Sequence, residues 1–89
     1  MATFIDLGDE FEGFVNAEQV VRIGIRNDRA WIYTAENRHR FPGGSTDGTD
    51  RVPAATVLEQ LLHELSEPSV LPGTRVIAFA RGRVVSRYL

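Results

Sequence analysis

Leucines recur at helical spacing in one stretch of this sequence, Leu58, Leu61, Leu62 and Leu65, whereas most other apolar residues fall in short runs rich in valine, isoleucine and aromatics. A period near 3.6 residues gathers those leucines on one helical face and leaves Glu59, Gln60, His63 and Glu64 on the other. The remaining runs are too short for helices and are branched or alternating, as strands are. One helix and several strands within 89 residues share a single hydrophobic core. The chain therefore reads as one α+β domain over residues 1–89. Its expected architecture is a mostly antiparallel sheet of about five or six strands with the amphipathic helix packed on one face.

Phe4, Ile5 and Leu7 form the first expected strand, placed at a sheet edge; Phe11, Phe14 and Val15 form the second, after a turn or bulge at Gly8-Asp9. Asn16 is suited to cap a brief helical turn through Gln19, ahead of a β-branched run from Val20 to Ile25. Turn residues over 26–29 lead into an alternating strand, Ala30 to Ala35, and a further strand, Arg38 to Phe41, follows Glu36-Asn37. Residues 42–50 are rich in glycine, serine, threonine and aspartate and read as a loop, with Asp50 available to cap the helix and Pro53 tolerated in its first turn. Thr74–Ala80 and Arg83–Leu89, separated by Arg81-Gly82, form an expected final hairpin.

Several chemistries lack their residues. Without cysteine there is no disulfide framework and no thiolate zinc site, which favours a cytoplasmic protein. The first ten residues carry three acids and no base, unlike a signal peptide, and no run is long and apolar enough to span a bilayer. His39 and His63 lie in different elements and form no metal pair. The 42–50 loop invites a phosphate, calcium or small-ligand reading, but the chain has no lysine for a Walker loop and no complete EF-hand pattern. No serine lies in a nucleophile elbow. The expectation is a non-enzymatic chain with no cofactor and no bound metal.

Charge is small in sum, −2, but uneven in layout. Residues 1–20 carry five acids and no base, and residues 68–89 carry four arginines and no acid. Terminal strands lying close enough to pair those charges would account for the pattern. All ten basic residues are arginine, the side chain suited to bidentate and stacked contacts. Arg75, Arg81, Arg83 and Arg87 share one numerical parity in the final hairpin, beside Tyr88. As a cationic stripe on an exposed strand they would meet another protein with an acidic surface. The leading expectation is accordingly a small protein-binding or regulatory module, an adaptor or a phage-type inhibitor, with a homodimer as a further possibility and no membrane partner. A second reading is nucleic-acid binding through Arg22, Arg26, Arg29, Arg38 and Arg40, which interleave with Trp31 and Tyr33. A sequence pI near 5.6 argues against it. A third is small-ligand binding at the 42–50 loop.

The run Phe14-Val15-Asn16-Ala17-Glu18-Gln19-Val20-Val21-Arg22-Ile23, followed by a hairpin, a third strand and a helix, resembles the small bacterial FlbD-like proteins of flagellar gene clusters over residues 11–65. The resemblance implies a compact, intracellular, non-enzymatic bacterial module. The acidic start and the C-terminal hairpin have no counterpart in it.

Overall fold

A computed structural model describes residues 2–8, 13–42, 52–67 and 73–89. The described chain forms β1 (Ala2–Asp6), β2 (Phe14–Asn16), a single 3-10 turn (Ala17–Gln19), β3 (Val20–Arg26), β4 (Arg29–Thr34), β5 (Arg38–Arg40), α1 (Ala54–Ser66), β6 (Thr74–Ala80) and β7 (Arg83–Tyr88). The α+β class is as expected, with the helix packed on a sheet. The strands number seven and divide into two sheets, ordered β2-β1-β6-β7 and β3-β4-β5. The expected single sheet of five or six strands is thus replaced by a pair of sheets.

The physical reason lies in β1. Instead of forming an edge it sits between β2 and β6, antiparallel to the first and parallel to the second. Its alternation puts Ile5 inward, beside Ile77 of β6, and no described residue pair joins this sheet to the meander by a strand ladder. The core lies between the two sheets and the helix: Ile5, Val15, Ile77 and Val84 from one sheet, Ala30 and Ile32 from the other, Phe41 just beyond β5, and Val57 and Leu61 from α1.

Local chemistry sets the turns. Asn16 Oδ1 accepts from the Glu18 amide at 2.9 Å, the expected cap of the short turn. Asn27 and Asp28 both adopt positive φ, as do Arg81 and Gly82, so each pair forms the two-residue turn whose twist suits a hairpin. Helix α1 begins directly after Pro53, which has no side-chain hydrogen bond to offer as a cap. Asp50, residues 43–51, Asp9–Glu12 and Pro68–Pro72 lie outside the described residues, as do the expectations placed on them.

The helix departs from its expected face in two ways. Leu61 is fully buried and Leu58 and Leu65 pack against the core, but Leu62 is 55% exposed, while Ala54 and Val57 fill the inner face. Gln60 and Glu64, expected in solvent, turn toward the C-terminal hairpin instead. Gln60 Oε1 accepts from the Val84 amide at 2.9 Å, satisfying a donor on the outer edge of β7. No helix among the described residues is long and apolar enough to cross a membrane.

Candidate nucleic-acid interface

The two arginine groups singled out in the sequence meet opposite fates. In the final hairpin, β6 and β7 pair antiparallel with Arg75 opposite Tyr88, Val76 opposite Arg87 and Ala80 opposite Arg83. Direct cross-strand partners share a sheet face. Arg75 and Tyr88 therefore lie on one face, and Arg83 and Arg87 on the other; Arg81 occupies the turn. The expected stripe of Arg75, Arg81, Arg83, Arg87 and Tyr88 does not form.

Arg75 is in addition a buried group, 3% exposed. Its Nη1 donates to the Glu67 carbonyl at 2.7 Å and its Nη2 to the Glu64 carbonyl at 2.6 Å, capping the last carbonyls of α1. Nη2 also reaches Glu64 Oε1 at 3.2 Å, Nε donates to Ser86 Oγ at 3.1 Å, and the Ser86 hydroxyl donates to Glu64 Oε1. Buried charges persist when paired and hydrogen-bonded, and Arg75 has a carboxylate partner and a hydrogen bond from each of its three nitrogens. This cluster fastens the helix end to the sheet and leaves no guanidinium to offer a partner. Arg87 instead spans the opposite face to Asp6, 3.7 Å away, across the intervening β6. Among the described residues, Asp6 of the acidic start and Arg87 of the basic end thus lie in one sheet and pair, as the charge layout suggested.

The meander behaves otherwise. Arg22 lies opposite Tyr33, Gly24 opposite Trp31 and Arg26 opposite Arg29; across β4, Tyr33 lies opposite Arg38 and Trp31 opposite Arg40. All eight residues share one face. Ile32, Ala30 and, on β5, His39 take the other, toward the helix. A bulge at Val21 is needed for this arrangement. Val20 and Arg22 would share a face in regular alternation, yet Val20 packs against the core while Arg22 is exposed, because the inserted residue reverses the phase.

The outer face therefore collects Arg22, Arg26, Arg29, Arg38 and Arg40 around Trp31 and Tyr33. The three strands contain these five arginines and no aspartate or glutamate. Asp28 and Glu36 occupy the turns at the two ends. The Arg22 guanidinium lies over the Tyr33 ring at 4.2 Å and that of Arg38 over the Trp31 ring at 5.6 Å, both within cation–π range. Trp31 Nε1 donates to the Arg26 carbonyl at 3.0 Å, which fixes the indole against β3. Among the described residues Arg22, Arg26, Arg29 and Arg38 pair with no carboxylate.

Elsewhere, a wide groove of about 670 Å³ runs between the sheets, with Phe14 and Val21 beside Glu18 and Glu36; it contains none of the arginines. No three histidine or carboxylate side chains among the described residues lie close enough to hold a metal ion. His63 is exposed and lies 3.5 Å from Glu67 one helical turn on. The loop proposed for small ligands lies outside the described residues apart from Pro42. The residues missed from the sequence are Glu64, Ser86 and Gln60, which hold the hairpin to the helix, and Gly24, which interrupts an otherwise β-branched and charged strand. Comparison with protein-family models, with curated proteins and with solved structures finds no match to this chain.

Proposed function

We propose that this chain binds single-stranded nucleic acid across the outer face of its three-stranded sheet. The observation that carries the reading is the convergence of five arginines and two aromatics on one face whose strands hold no carboxylate. Guanidinium groups neutralise phosphates, and aromatic and guanidinium planes accept unstacked bases, so both halves of a nucleotide have a counterpart on this face. A net charge of −2 does not oppose it. Charges are screened over about 8–10 Å at physiological salt, so a strand lying on the sheet experiences the local field rather than the sum over the chain. The proposed role is cytoplasmic and non-catalytic, in keeping with what the likeness to FlbD-like proteins implies.

Fluorescence anisotropy with labelled oligo(dT) and oligo(U) tests it. Phosphate contacts from Arg22, Arg26, Arg29 and Arg38 give a slope of about −2.8 in log K against log salt, or roughly a 50-fold loss of affinity between 50 and 200 mM. No binding to either oligonucleotide at low salt would end the proposal.

A protein partner keeps one specific observation in its favour. Strand β3 is an edge, and Val21 and Ile25 on it are exposed, as is Leu62 on the helix that packs against it. An extended acidic segment added to that edge would face Arg22 and Arg26. Self-pairing of two copies centred on Gly24 would instead set Arg22 against Arg26, a repulsive cross-strand pair, so a second copy of the chain fits this edge poorly. Amide NMR shifts confined to β3 on adding an alternating aspartate-valine peptide would favour the edge, and shifts absent there would remove it.

A further inference from the structure

Gly24 sits in the middle of β3, where glycine weakens a strand and offers nothing to pack. Its backbone does not require glycine, since its φ is not among the positive values, which fall at Gly8, Gly73 and Gly82. Nor does close packing require it. A Cβ placed there would meet, among the described residues, only Tyr33 Cε2 at 3.8 Å, an ordinary contact. Trp31, directly opposite, donates its Nε1 hydrogen bond to the Arg26 carbonyl and puts no atom within 4 Å of that Cβ. The bulge lies at Val21 and gives no reason for glycine at position 24. With turn, bulge and crowding set aside, a setting in which glycine recurs inside strands is the close approach of a ligand or another backbone.

We infer that the space over Gly24 is a subsite for one planar base of a single-stranded nucleic acid, bounded by Trp31 and Tyr33. Arg22 and Arg26, two residues away on either side of the same strand face, take the adjoining phosphates; they stand about 13 Å apart along the strand. A side chain at position 24 would occupy the subsite while leaving every arginine in place. This rests on the nucleic-acid reading above and sharpens it, from a charged face to a site that separates bases from a bare polyanion.

Trp31 is the sole tryptophan, so its emission reports directly on a ring stacked beside it. The experiment compares the wild-type chain with Gly24→Val and Gly24→Ala, using unlabelled oligo(dT) and inorganic polyphosphate as probes. Valine favours strands, so Gly24→Val should melt no lower than the wild type; should it melt lower, the smaller Gly24→Ala carries the test. The expected result is quenching of Trp31 by oligo(dT) in the wild type, with loss of the quench and about a 10-fold weaker affinity in Gly24→Val. Polyphosphate should bind both equally. Equal oligo(dT) affinity and equal quenching in the variants would overturn the subsite while leaving the sheet-face reading intact. A wild type that binds neither probe would overturn both.

Discussion

The C-terminal hairpin and the meander are both antiparallel, both turn through two residues at positive φ, and both carry arginines at alternating positions, yet one hides or splits its cations and the other concentrates them. The register across the turns is the same in both; the difference comes from the parity of the arginine positions on successive strands. With two turn residues, each odd-numbered position on one strand faces an even-numbered position on the next. Arg75 therefore shares a face with Ser86 and Tyr88, and Arg83 and Arg87 take the reverse side. In the meander the same offset brings Arg22 and Arg26 to the side of Arg29, Trp31 and Tyr33, and then of Arg38 and Arg40. Shared parity describes a face within one strand and misdescribes it across a two-residue hairpin.

The comparison also separates structural arginine from available arginine, and three substitutions test that division. The largest effect belongs to Arg75→Ala. Removing one partner of a buried, multiply bonded pair leaves Glu64 and the last helix carbonyls without their donor, at an expected cost of about 3–5 kcal/mol. Chemical denaturation would measure it; a loss below about 1 kcal/mol would mean that the hairpin's arginine is as dispensable as a surface one. An intermediate effect, on binding alone, is expected from Arg38→Ala. Its guanidinium lies over Trp31 on an exposed face, so the melting temperature should hold while the salt slope for oligonucleotide binding falls by about 0.7, one phosphate contact. An unchanged slope would take Arg38 out of the interface. The smallest effect is Arg87→Ala. Its pair with Asp6 is 3.7 Å long and its side chain is 56% exposed, so stability should change by less than about 0.5 kcal/mol and binding should not change. If Arg87→Ala weakened oligonucleotide binding as much as Arg38→Ala, the proposed division between the two regions would fail.

Much of the local structure could be read from residue order. The Asn16 cap, the turns at Asn27-Asp28 and Arg81-Gly82 and the leucine-bearing helix all follow from short-range chemistry: an amide oxygen reaching a nearby N–H, small or polar residues accepting positive φ, apolar side chains recurring at 3.6. The five meander arginines and their two aromatics were visible as a set for the same reason, since neighbouring strands joined by tight turns keep near neighbours together. The Val21 bulge was not visible, because an inserted residue leaves the β-branched run unchanged and shows only when the partner strand fixes the pairing.

The sequence by itself determined the α+β class, the leucine-bearing helix, the positions of the tight turns and the charge contrast between the chain ends. Those depend on interactions among residues a few positions apart. Only the tertiary structure decided that β1 inserts beside β6, that two sheets form, that Arg75 goes inward to close the end of α1, and that the arginine-bearing side of the meander is turned away from the core. These outcomes depend on which apolar faces meet across long separations in the chain, and alternation within a strand divides its side chains into two faces without saying which one the rest of the molecule will cover.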